Sequence, residues 1–208
     1  MSLLDAILNK KARLKQNETR VTTVSGYVFK EHKTSTGEQV RVEISNTAPG
    51  YVIDEAPDLQ VAFVLPWLCM GSQDVVSDQL ILEQNKISCV LSLGVTPPVK
   101  LPHIEYFHLP VYDEPGYNLS QHFTQCFSYI DRCHDNHSII YLNCNAGVSR
   151  SATLVLAYVM KRHSLGLTQA IDMVKKVRPC IKPNPGFMKQ LKDLEEALIK
   201  ERECRVRD

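Results

Sequence analysis

Residues 138–153, SIIYLNCNAGVSRSAT, constrain the fold more than any other stretch of the chain. SIIYL is a short apolar run, and such a run predicts a central strand covered on both faces of a sheet. A segment of small residues with a glycine at its centre follows, and then RSATLVLAYVMKRH, which has helical length and spacing. A buried strand that passes through a tight loop into a helix belongs to an α/β architecture, a mostly parallel sheet flanked by helices. The rest of the downstream chain fits that frame. LQVAFVLP, WLCMG, ISCVLSLG and IEYFHLPV predict strands, and DVVSDQLILEQN, LSQHFTQCFSYIDRC, TQAIDMVKKV and GFMKQLKDLEEALIK predict helices. Asn118 is the expected cap of the helix that begins at Leu119.

Upstream the pattern changes. Leu3, Leu4, Ile7 and Leu8 recur at helical spacing and are followed by Lys10, Lys11, Arg13 and Lys15, either a short solvated helix or a docking element. VTTVSGYVFK and EQVRVEI, around TSTGE, predict a hairpin, and NTAPG and DEAPD then break regular structure. The expected division is an N-terminal extension over residues 1–58 and one main domain over 59–208.

The 24 basic and 23 acidic residues nearly cancel, so the chain carries no electrostatic footprint for nucleic acid. No apolar run reaches the roughly 20 residues of a membrane-spanning helix. The first apolar cluster precedes the first basic one, the reverse of a secretory signal. A soluble cytoplasmic protein, with the nucleus also open to it, is expected. The seven cysteines form no CxxC pair, which argues against a disulfide framework and a zinc site. Six of them are expected to be small buried hydrophobes.

Cys144 is the exception. Asn145, Ala146, Gly147, Val148 and Ser149 are small or bend tightly, so their backbone N–H groups can turn inward as an anion-binding nest. The helix starting near Arg150 aims its free N–H groups and positive dipole end at the same point. Arg150 adds a planar fork suited to two phosphate oxygens. These positive groups favour an anionic sulfur on Cys144, which places a nucleophile beside an oxyanion cradle. The hydroxyl of Ser151 can assist the sulfur when a thiophosphate intermediate is hydrolysed. Cleaving an alkyl phosphate also needs a proton for the leaving oxygen, and Asp113, on the loop after IEYFHLPV, is the candidate general acid. On spacing alone it can equally be a turn residue.

VLPWLCMGSQD, LPVYDEPGYNLSQHF, CNAGVSRSAT, LAYVM and RPCIKPNPGFMKQL together resemble the dual-specificity protein phosphatase family, within the cysteine-dependent protein tyrosine phosphatases. The resemblance covers the chain from about residue 59 to its end. It implies Cys144 as nucleophile, Arg150 as binder of phosphate and transition state, Asp113 as general acid and Ser151 as hydroxyl partner of the sulfur. It also implies Asn184 as a brace for the loop, with no metal and no cofactor. One departure stands out: the family has a histidine before the nucleophile, and this chain has Asn143. That histidine supports the loop, so a working but weakened phosphatase is expected. Asn143 still supplies one side-chain donor in a similar place.

The loop carries no charge between Cys144 and Arg150, whereas a polyphosphorylated lipid or an RNA triphosphate calls for added lysine or arginine there. Phosphoproteins are the expected substrates. The resemblance implies both phosphotyrosine and phosphoserine or phosphothreonine, and partners in mitogen-activated protein kinase pathways. Three rival readings remain: a phosphate-binding scaffold without turnover, a cysteine protease and a sulfurtransferase. A leaving-group acid such as Asp113 has no use in the first or the last. The arginine at the helix start suits phosphate better than a peptide carbonyl.

Overall fold

Alternation along three strands sorts the core into two layers. In the computed structural model Leu68 and Met70, Cys89, Leu91 and Leu93, and Ile140 and Leu142 pack into one apolar cluster, while Cys69, Val90 and Tyr141 pack into another on the opposite face. Successive strand side chains point to opposite faces, so a sheet whose strands are apolar at consecutive positions must be covered twice. The structure describes residues 19–22, 28–33, 39–45, 57–94, 96–97 and 100–205. The chain divides into two units, Met1–Ala56 and Pro57–Asp208. The helix expected around Leu3 and Leu8 and the TSTGE turn lie outside the described residues.

In the first unit β1 (Thr19–Thr22), β2 (Val28–Lys33) and β3 (Gln39–Ser45) form an antiparallel sheet in that order. The sequence predicted one hairpin of two strands. The run VTTVSGYVFK instead contributes to two strands, which pair with Val21 opposite Phe29. The turn-type dipeptide Ser25-Gly26 stands between them in the sequence. Folding back lets the two halves satisfy each other's backbone groups.

In the second unit β4 (Ala62–Leu65) and β5 (Leu68–Gly71) form a hairpin, followed by a 3-10 turn (Asp74–Ser77) and α1 (Gln79–Gln84). Next come β6 (Ile87–Leu93), β7 (Glu105–Leu109), α2 (Phe123–Asp135) and β8 (Ile139–Asn143). The chain continues through α3 (Arg150–His163), α4 (Leu167–Val177) and α5 (Pro185–Arg205). The sheet order is β4-β5-β8-β6-β7, with β8 in the middle and only the β4–β5 pairing antiparallel. This is the α/β sheet that the apolar strand SIIYL predicted, and it carries the loop after β8 to the carboxyl end of the central strand. In open α/β sheets that end is where ligands bind.

Helix α3 is buried along its whole first three turns, from Arg150 to Met160. A helix without a polar face is one enclosed by the protein, and such a helix fixes the position of its own N-terminus.

Two local predictions differ. DVVSDQLILEQN is one helix by periodicity, yet the chain breaks at Asp78, which turns extended and accepts the Ile81 N–H at 3.1 Å as the cap of α1. An aspartate that can bond the following backbone competes with helix continuation. Asn118 does not cap α2. Its Oδ1 accepts from the Ser120 hydroxyl at 2.7 Å, a 3-10 turn (Ser120–His122) precedes α2, and the Ser120 N–H donates to Gln190 Oε1 at 2.9 Å. A partner 70 residues away has replaced the local one.

Four of the six other cysteines, Cys69, Cys89, Cys126 and Cys133, are buried as expected, whereas Cys180 and Cys204 are exposed. Both exposed cysteines have charged or polar neighbours in sequence, RPCIK and RECR, which carry no apolar periodicity to draw them inward. Burial pushes the Cys69 thiol up and the Cys126 thiol up to about 12, so both stay neutral. Among the described residues no helix is long and apolar enough to cross a membrane, and no cluster of three His, Cys, Asp or Glu side chains could hold a metal.

Candidate active site

The loop from Cys144 to Arg150 is held by its carbonyls. Asn145 O accepts from Gln73 N–H at 3.0 Å, and Val148 O from Lys182 N–H at 2.8 Å. Between them, Ala146 O accepts from Arg178 Nη2 and Gly147 O from Arg178 Nε, each at 2.8 Å. Four consecutive carbonyls are thus pinned outward. In a planar trans peptide the next N–H points the opposite way, so the amides of Ala146, Gly147, Val148 and Ser149 face the centre of the loop, where they have no acceptor among the described residues. This is an anion nest built from the outside.

Gly147 makes the geometry feasible. Its φ is +64°, and a Cβ there would lie 2.3 Å from the Gly71 backbone. Only glycine takes that conformation and that close approach without strain.

Cys144 lies at the floor, 2% exposed, with its Sγ 3.3 Å from Ser151 Oγ. The two side chains come from the end of β8 and the first turn of α3. Arg150 folds back across the loop. Its Nη1 donates to Val111 O at 3.2 Å and its Nη2 to Asn145 Oδ1 at 3.1 Å. Its Nε is buried and has no hydrogen-bond partner among the described residues. Gly94, at φ +81°, clears the way, since a Cβ there would lie 2.1 Å from Arg150 Nη1. A buried unpaired donor costs about 1–3 kcal/mol, which an oxyanion in the nest would recover.

Asp113 stands over the same arginine, with Oδ2 3.7 Å from Arg150 Nε, too long for a hydrogen bond but an ion pair. Its Oδ1 accepts from Ser149 Oγ at 2.7 Å and from Asn184 Nδ2 at 2.9 Å. Asn184 also donates its own N–H to Ser149 Oγ at 3.1 Å and accepts from Phe187 N–H at 2.9 Å, capping α5 with Pro185 in the first helical position. Asn184 therefore braces the acid loop and the phosphate loop together. The Ser149 side chain faces Asp113, and its backbone N–H is the group that the sequence assigned to the nest.

Asn143, 1% exposed, accepts from Ser92 Oγ at 2.8 Å through Oδ1. It links β8 to β6 one residue before Cys144.

Sequence reasoning missed Arg178. It is fully buried, and besides the two loop carbonyls it contacts Asp58 Oδ2 at 2.5 Å and Gln60 Oε1 at 3.2 Å. Nothing in VRPCIK distinguishes it from neighbouring lysines, because its partners lie about 30 and 120 residues away in sequence. Asp58, which composition assigned to the extension, belongs with the second unit.

A sulfur at the floor of an amide nest, an arginine folded across it and a helix N-terminus behind it define the phosphate loop of the cysteine-dependent phosphatases. Within that class the chain belongs to the dual specificity phosphatase family, whose profile, "Dual specificity phosphatase, catalytic domain", matches residues 68–197. Mouse dual specificity protein phosphatase 19 is 36% identical over 186 residues, 86% of this chain and 83% of that protein. Human dual specificity protein phosphatase 15 is 38% identical over 130 residues, 62% of this chain and 44% of that protein. Among solved structures, human DUSP28 superposes with a TM-score of 0.64 at 29% identity, covering 69% of this chain and 97% of that one. A mouse dual specificity phosphatase complexed with zinc tungstate gives 0.66 at 27% identity, covering 72% and 94%.

Proposed function

We propose that this protein hydrolyses phosphotyrosine and phosphoserine or phosphothreonine in proteins through a phosphocysteine intermediate. The observation that carries the reading is the buried Arg150 Nε, which donates no hydrogen bond among the described residues, beside inward-facing amides and the Cys144 sulfur. In the first step the sulfur attacks phosphorus, the S–P bond forms as the ester P–O bond breaks, and the Asp113 carboxyl gives its proton to the departing oxygen. In the second, water attacks the phosphocysteine and yields its proton to the Asp113 carboxylate. The S–P bond then breaks, with Ser151 hydrogen-bonded to the departing sulfur and inorganic phosphate released. Arg150 and the loop amides hold the equatorial oxygens through both steps.

The test is hydrolysis of an aryl phosphate in the presence of a chelator, with Cys144→Ser as the blank. A rate well above the blank is the expected result. A rate equal to the blank would replace the enzyme with a phosphate-binding scaffold, whose function is then read as tungstate or phosphopeptide binding.

Asn143 in place of the family histidine lowers turnover in this reading. Asn143→His is expected to raise kcat severalfold on the same substrate, and an unchanged kcat would show that position 143 does not limit the reaction.

In the same proposal residues 59–208 are the catalytic domain, residues 1–58 an extension that docks partners, and the substrates phosphoproteins of mitogen-activated protein kinase pathways acted on in the cytoplasm. A truncation meant to spare catalysis begins at Pro57, because Asp58 holds Arg178.

A further inference from the structure

Cys89 and Cys133 are buried in one apolar cluster, but their surroundings differ from those of Cys69 and Cys126, whose thiols burial keeps neutral. Their side chains hydrogen-bond to each other, and the side chains of Ser138 and Ser88 hydrogen-bond to Cys89 as well. Three donors thus converge on one sulfur. Cys89 lies on β6 opposite Glu105 of β7 and Ile140 of β8, and Cys133 stands in the last turn of α2. Ser138 donates its N–H to Cys133 O at 2.9 Å, which ties the end of α2 to the start of β8. The pair sits toward the amino ends of the strands, whereas the phosphate loop leaves the carboxyl end of β8.

One layer of side chains covers the pair. The Tyr129 hydroxyl hydrogen-bonds to Cys133 and donates to Glu105 O at 3.4 Å. Tyr129 and Glu105 also line a surface hollow of about 340 Å³, together with Arg132, Gln125 and Ser128. A small solute in that hollow is one side chain away from the sulfurs.

We propose that Cys89 and Cys133 form a redox site for small hydroperoxides, at which Cys89 is oxidised and Cys133 closes a disulfide onto it, joining β6 to α2. In the first step the Cys89 sulfur attacks a peroxide oxygen. The S–O bond forms, the O–O bond breaks, and the departing hydroxide takes a proton to leave as water. In the second the Cys133 sulfur attacks the Cys89 sulfenic acid, the S–S bond forms as the S–O bond breaks, and the Cys133 proton leaves with hydroxide as a second water. Two thiols lose two electrons and one peroxide gains them. The division of roles follows from the contact: hydrogen bonding by Cys133 holds the Cys89 thiol below its ordinary range despite burial, and the same contact, with burial, pushes Cys133 up. A disulfide is about 2.0 Å long, so two sulfurs already in hydrogen-bond contact need only approach each other. The site is independent of the phosphatase reading.

Cleavage after lysine and arginine puts Cys89 in peptide 87–100 and both Cys133 and Cys144 in peptide 133–150. Full-length Cys144→Ser protein therefore reports on Cys133 without ambiguity. It is treated with hydrogen peroxide in modest molar excess, the remaining thiols are alkylated in denaturant, and the digest is mapped without reduction. The expected product is the two peptides joined through Cys89 and Cys133 and released by dithiothreitol. With Cys133→Ser on the same background a dimedone adduct is expected at Cys89, and with Cys89→Ser the Cys133 thiol is expected to survive. The urea midpoint of the oxidised protein is expected about 1–2 M above that of the reduced protein, because the bond closes a loop in the unfolded chain. Recovery of Cys89 and Cys133 as thiols while the exposed Cys180 and Cys204 are oxidised overturns the site, whether or not the variants fold. A bond from either one to Cys180 or Cys204, or a midpoint lowered by oxidation, overturns the pairing. A dimedone adduct at Cys133 in Cys89→Ser overturns Cys89 as the attacking sulfur.

Discussion

Replacing Asp113 with asparagine lowers kcat on phosphothreonine peptides by about 10²–10⁴-fold, the usual contribution of a positioned general acid. The same protein hydrolyses an aryl phosphate whose phenol is strongly acidic at nearly the original rate. The argument is one of leaving groups: an alkoxide cannot depart without a proton, whereas an acidic phenolate can. Asparagine keeps an oxygen to accept from Ser149 and Asn184, so the loop stays in place and only the proton donor is lost. The two substrates, compared in one preparation, separate chemistry from damage to the site. Equal losses on both would mean that Asp113 holds Arg150 in position and is not the acid.

Arg178→Met acts on a different link. It removes the donors of two buried carbonyls, Ala146 O and Gly147 O, each about 1–3 kcal/mol when left unpaired. The Asp58 carboxylate is 42% exposed, so its loss of an ion partner adds little. Unfolding free energy falls by about 2–5 kcal/mol, read as a lower urea midpoint at unchanged slope. Tungstate binding weakens as well, because the inward aim of the Gly147 and Val148 amides depends on where their preceding carbonyls are tied. Arg178→Lys recovers part of the stability and little of the affinity, since an ammonium cannot reach Gly147, Ala146, Asp58 and Gln60 from one planar fork. A folded Arg178→Met protein that binds tungstate like the original would dismiss the brace.

These two residues mark how differently the site was written into the chain. Asp113 could be proposed because acid chemistry needs a loop carboxylate at the carboxyl end of the sheet, although its loop follows the edge strand β7 and not the neighbour of β8 that the sequence suggested. Arg178 could not, because its reason for existing is the backs of two peptide groups that only the folded loop presents. The same holds for the Ser149 side chain, for which the sequence named no role and whose partner, Asp113, lies 36 residues away. It holds for Asn118, whose capping role was displaced by Gln190.

What the sequence by itself determined was local and periodic. An apolar run set β8 as the buried middle strand, a glycine with small neighbours set the tight turn, and the spacing of Cys144, Arg150 and Ser151 along strand, loop and helix start set the candidate nucleophile and its proposed partners. Those follow from covalent geometry and patterning, which act over a few residues. What only the tertiary structure decided were the contacts made at long sequence separation: the outward pinning of four carbonyls, the Asp113–Ser149–Asn184 clasp and the Arg178 brace. Each is a pairing of polar groups that must be satisfied once buried. Which groups are buried together is set by how the helices and strands pack, so the pattern along the chain carries no record of it.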